Sequence, residues 1–119
     1  GQVLALTTSC PDGEVAGIPN LNGGLIEFNF ASYMGPGKQN YDLETIGLHE
    51  LGHLLGLGHA FAGTPSQGVP GPNAPASMTG ALMKPVFTFP DGINGEQLRS
   101  PRTNDQQRAN CLYEQVGFN

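Results

Sequence analysis

The sequence predicts an α+β fold: a small twisted sheet packed on one central helix, then a loop-rich C-terminal part and a final helix. Three observations predict it. Short apolar, β-branched segments fill the first 30 residues, and one stretch of helical spacing, Leu48–His59, holds all three histidines. After that stretch come Gly-, Pro- and Asn-rich segments that end in an amphipathic run near the C-terminus. At 119 residues the chain reads as one domain, 1–119, with room for a single core.

Composition narrows the class. With 18 Gly and 10 Pro against 38% apolar residues and no Trp, the chain reads as loop-rich but folded, because the apolar residues cluster. Ten acidic and five basic residues give a net charge of −5, which argues against nucleic acid or an anionic membrane as partner. No apolar run approaches the ~18 residues of a membrane span, and no signal peptide is evident. The chain opens at Gly1 on a strand-like segment, so it reads as a mature or trimmed form.

Val3–Thr8 reads as a first strand, ended by the turn signal Cys10-Pro11-Asp12-Gly13. Val15–Ile18 is a candidate short strand. Gly23-Gly24 then opens a clearer strand, Leu25–Phe30, with Ile26, Phe28 and Phe30 on one face and Leu25, Glu27 and Asn29 on the other. Residues 31–40 read as a loop. Asn40 or Asp42 can cap the following helix, and Asp42 and Glu44 suit its positive end. Along that helix Leu43, Gly47, Leu51, Leu54 and Leu55 are expected in the core, with Ile46, His49, Glu50 and His53 towards a cleft. Gly47 and Gly52 each weaken it by up to ~1 kcal/mol relative to Ala. Ala60–Thr79 is a long loop, Gly80–Pro85 a tight apolar turn and Val86–Pro90 an extended wall. Thr103 or Asn104 caps a final helix over about 105–116 whose apolar face carries Ala109, Leu112, Tyr113 and Val116.

The central stretch reads Leu-His-Glu-Leu-Gly-His-Leu-Leu-Gly-Leu-Gly-His. His49 and His53, four residues apart, lie one above the other on a helix face, so both imidazoles reach one ion at about 2.0–2.1 Å. Glu50 projects beside that site, where it can take a proton from water. Gly56 can adopt a left-handed cap and turn the chain so that His59 meets the ion from another direction. Three protein ligands leave a position for water, the mark of a catalytic zinc site. At ordinary residue frequencies a chance match is on the order of 10⁻⁸ to 10⁻⁷ per window, which disfavours an ordinary core helix. Cys10 and Cys111, near opposite ends, fit one disulfide and an extracellular compartment. Two unrelated buried thiols, or Cys10 as a latency ligand on the metal, are the other readings.

His49–His59 resembles the long zinc signature of the metzincin metallopeptidases. Gly80-Ala81-Leu82-Met83-Lys84-Pro85 resembles their Met-turn in its matrixin form. Phe87-Thr88-Phe89 and the closing helix with Asp105, Leu112 and Tyr113 are similar to matrixins too, so the resemblance covers residues 23–116. It implies a secreted zinc endopeptidase acting on an extended protein or peptide substrate. His49, His53 and His59 would ligate zinc, Glu50 would be the general base, and Met83 the apolar floor beneath the metal. Pro85, Val86, Phe87 and Phe89 would line the pocket for the side chain after the scissile bond. A substrate strand would pair with a sheet edge near Leu25–Phe30 or Val15–Ile18.

The chain departs from the family in several ways. The upstream helix and strand expected of the family are not in this sequence, either trimmed or absent from the protein, and a missing N-terminal segment or propeptide is one expected partner. No histidine remains for a second, structural zinc. Ala60 stands where relatives carry a distinguishing residue, and the long linker before Met83 suggests a microbial relative. Ala76-Ser77-Met78 could pose as the Met-turn, but Leu82 and Pro85 support Met83. Lys84 is not the Tyr of a tyrosine switch. Calcium stays open as a second ion, without a D-x-D-type loop to hold it. The rival readings are a non-catalytic zinc-containing binding module and an incomplete, inactive fragment.

Overall fold

Residues 5–28 form one long hairpin instead of the separate short strands expected. In the computed structural model, which describes residues 4–15, 17–33, 40–61 and 76–114, β1 (Ala5–Val15) pairs antiparallel with β2 (Ile18–Phe28) in a two-stranded sheet. Pro11–Gly13 does not end β1. Register shifts flank Pro11, and Gly13 has φ +76°. Proline offers no amide to the ladder and Gly13 accepts a positive φ, so the strand bulges without reversing. The reversal falls between the paired Val15 and Ile18, beside Gly17 at φ +79°. The short strand expected at Val15–Ile18 is therefore divided: Val15 closes β1 and Ile18 opens β2, with the reversal between them.

The expected alternation holds at Ile26 and Phe28, which are half-buried, while Leu25 and Glu27 are exposed. It stops at Phe30, which is exposed and begins the single-turn helix α1 (Phe30–Tyr33). The inner face packs on α2 (Leu43–Leu54). Contact is close enough that a Cβ on Gly24 would collide with the Leu54 side chain, and one on Gly47 would touch Phe28 at 3.5 Å.

Asp42, not Asn40, caps α2: its carboxylate accepts from the Thr45 amide at 3.2 Å and the Thr45 hydroxyl at 2.6 Å. Asn40 instead bridges to Asn94. The buried residues of α2 are Thr45, Ile46, His49, Glu50 and Gly52, whereas Leu43, Leu51 and Leu55 are exposed. This overturns the expected core face in part: Gly47 and Leu54 do pack towards the hairpin, but Leu43, Leu51 and Leu55 do not, and Ile46, His49 and Glu50 are buried in their place. Leucines and histidines ring this helix almost completely, so spacing could not choose a side. The hairpin covers one flank, Leu54 included, and the Ala81–Lys84 turn another, while Leu43, Leu51 and Leu55 are left to solvent.

After α2 the chain reaches α3 (Ala76–Thr79), one helical turn, and α4 (Thr103–Glu114). Ala81, Leu82 and Met83 between them are nearly inaccessible and form the core with Ile46 and Leu57. Ala109, Leu112 and Tyr113 of α4 are half-buried as expected. The expectations for Val3, for 34–39, for most of the long loop (62–75) and for Val116 lie outside the described residues.

Cys10 and Cys111 are both free and exposed, contrary to the expected bridge. No residue of β1 comes within 8 Å (Cα–Cα) of α4, beyond the reach of a disulfide. With both thiols free, no bridge among the described residues points to an extracellular location. Among the described residues no helix is long and apolar enough to cross a membrane.

Candidate metal centre

The three histidines predicted to meet do meet. One ring nitrogen from each of His49, His53 and His59 lies within 4.8 Å of the others. Their ring centroids stand 4.7, 5.3 and 4.9 Å apart, a nearly regular triangle. Nitrogens bound tetrahedrally to one zinc sit about 3.4 Å apart, so small side-chain rotations close the set on an ion.

Two of the imidazoles are oriented from behind. His49 Nδ1 lies 2.7 Å from the Leu82 carbonyl, and His53 Nδ1 lies 2.7 Å from the Leu57 carbonyl. A carbonyl only accepts, so each Nδ1 carries the proton and each Nε2 keeps its lone pair for a metal. The donor set therefore fits a divalent transition metal.

His59 is placed by the chain that leads to it. Gly56 takes φ +98°. Its amide donates to His53 O at 2.9 Å, and the Leu57 amide donates to Gly52 O at 3.0 Å, a Schellman ending. Arg108 of α4 donates to Gly58 O at 2.9 Å, and the Ala60 amide to Met83 O at 2.8 Å. The residues on both sides of His59 are thus tied to α4 and to the Met83 turn.

Met83 packs directly against the helix between the two histidines: a Cβ on Gly52 would strike its Sδ. That explains a glycine which spacing alone marked as a weakness. Met78, the rival, is half-buried in α3. The turn is held by Asp105, 3% exposed, which accepts from the amides of Leu82 (2.8 Å), Met83 (3.0 Å) and Arg102 (2.8 Å). The Met83 N–H and the Leu82 C=O belong to one peptide group. Asp105 therefore polarises the same carbonyl that receives the His49 Nδ1 proton. The sequence marks Asp105 as the start of the final helix and as part of the matrixin-like closing pattern, but not as the acceptor that holds this turn.

Glu50 is buried beside His49, and its carboxylate is hydrogen-bonded by the Thr7 hydroxyl of β1. Thr7 escaped the sequence reading because 43 residues separate the partners and nothing local marks it. Phe87 stands edge-on to His49 with centroids 5.2 Å apart. Phe89 turns away to Tyr41, 4.8 Å off, while Pro85 and Val86 are half-buried. Lys84, nearly buried, is neutralised by Glu96 at 2.6 Å. A separate polar cavity of about 490 Å³ lies at the start of α2, lined by Asn40, Tyr41, Asp42, Asn94 and Arg99 among others. None of Pro85, Val86, Phe87 and Phe89 lines it.

Burial lowers the pKa of His49 below the ordinary 6.5, partly opposed by its bond to Leu82. Desolvation also lowers His59, the most exposed of the three, with His53 adding to the effect. Both shifts favour the neutral, metal-binding form.

Comparison with known protein families, with curated proteins and with solved structures finds no match for the chain.

Proposed function

We propose that this chain is a zinc-dependent endopeptidase of the metzincin type, matrixin-like in its Met-turn. The observation that carries the reading is the convergence of three imidazoles, two with Nδ1 already committed to carbonyls, beside a glutamate on the same helix. His49, His53 and His59 would hold the metal. Zinc, when bound, supplies Lewis-acid polarisation of a carbonyl and an acidified water. Glu50 would accept a proton from that water and return it to the leaving amine. Phe87, edge-on to His49, offers an apolar surface next to the reacting centre. An extended peptide substrate would add to an exposed strand edge of the two-stranded sheet.

A purely structural zinc would require the three imidazoles but not a carboxylate at position 50. Glu50→Gln is therefore the discriminating change. We expect the variant to retain one zinc per chain and to lose casein cleavage by at least about 100-fold. Wild-type activity should also disappear on chelation. A Glu50→Gln protein that cleaves at the wild-type rate, or a zinc-loaded wild type that leaves casein intact, would overturn the reading.

A further inference from the structure

We infer that Thr7 is a positioning residue for Glu50, holding the carboxylate in the orientation from which it exchanges a proton. The inference rests on the peptidase reading above. A glutamate has three side-chain torsions, and ordering them costs entropy that something must offset. The Thr7 hydroxyl bonds Glu50 Oε2 and also lies 3.2 Å from the Glu50 backbone oxygen. A hydroxyl has one proton, and an ionised carboxylate is the stronger acceptor, so the side-chain bond takes precedence. Threonine is β-branched and stiff at χ1. Its strand is registered by the pairing of Thr7 with Ile26, so the hydroxyl arrives from a fixed direction. Among the described residues it is the one donor that reaches this carboxylate, and it leaves Oε1 free to take the proton.

The anchoring comes from a different element than the metal ligands. His49 and His53 are oriented by the Leu82 and Leu57 carbonyls and the backbone before His59 is tied to α4, whereas the Glu50 carboxylate is held by the hairpin. Loss of the Thr7 hydroxyl should therefore affect proton transfer and spare the metal.

The test compares zinc-loaded wild type, Thr7→Val and Thr7→Ser on a quenched fluorescent peptide, with zinc content measured in parallel. We expect Thr7→Val to lower kcat by about tenfold or more, with KM and zinc stoichiometry unchanged. Thr7→Ser should recover kcat to within about threefold of wild type, because the donor is restored. Thermal unfolding of the metal-free proteins adds a readout independent of turnover. Thr7→Val should lower Tm by about 4 °C when Glu50 is present and by less than half of that in a Glu50→Ala background. An active wild type whose Thr7→Val variant keeps its kcat, or whose Thr7→Ser variant is not rescued, overturns the inference alone. Equal Tm losses in both backgrounds also overturn it. A zinc-loaded wild type without peptidase activity overturns the parent reading, and this inference with it.

Discussion

Gly52 is a residue whose meaning changes between sequence and structure. In the sequence it costs the helix up to ~1 kcal/mol relative to Ala. In the fold it makes room for Met83, 1% exposed, whose sulfur occupies the space a Cβ would need. A methionine tip is flexible in the open, but this one is enclosed. Overpacking costs about 1–3 kcal/mol, which outweighs the helical gain. Gly52→Ala should therefore destabilise by about 1 kcal/mol in chemical denaturation, although propensity alone predicts the opposite sign. Asp105 works through a peptide rather than by touching a ligand. In Asp105→Asn, with the amide oxygen kept on the Leu82 and Arg102 amides, the buried Met83 amide would face an NH₂ group and the Leu82 carbonyl would lose its anchor. Zinc affinity should fall about tenfold to hundredfold in competition with a chromophoric chelator.

At the scale of elements, both ends of α2 were legible. Asn40 or Asp42 signalled the start, of which Asp42 is the cap, and Gly56 the stop, because caps use residue types with few alternatives. Gly56→Ala would force an L side chain to φ +98° with its Cβ 3.1 Å from Leu112, so we expect a loss of about 1–2 kcal/mol by denaturant titration. Asp42 does more than cap: Arg99 forks onto it at 2.7 and 3.0 Å and holds its carboxyl well down, to about 2. Because the folded pKa lies below the unfolded value, this stabilisation is present above about pH 4. It is lost as the pH falls towards 2. The hairpin was less legible. Pro11 to Gly13 looked like a reversal, yet Gly17 supplies one better placed to pair Val15 with Ile18. The exposed leucine side of α2 was illegible for another reason: which flank is covered depends on the distant hairpin and turn, and not on helical spacing.

The whole molecule has a thin core: Ile46, Leu57, Ala81, Leu82 and Met83 are its buried apolar residues among those described. The three histidines that could hold a metal sit against that core, so metal binding would be coupled to folding. At a free zinc concentration a thousand times Kd the gain is about 4 kcal/mol, so Tm should rise by about 10 °C or more over the chelated protein. The pH dependence follows from His49 and His59. Their folded values lie below 6.5, so below that pH the unfolded chain takes up protons that the folded chain refuses. Metal-free stability should be flat above pH 7 and decline on acidification below 6.5, and zinc affinity should decline in the same direction. The convergence of the three histidines was legible because they are close in sequence. Thr7 and Asp105 were not, because their partners are brought together only by the tertiary fold.

The most direct measurement is X-ray absorption at the zinc edge of protein loaded with one equivalent of metal. The account predicts three imidazole nitrogens at about 2.0–2.1 Å and one further light atom, with no sulfur. A sulfur shell near 2.3 Å, or fewer than three imidazoles, would contradict it.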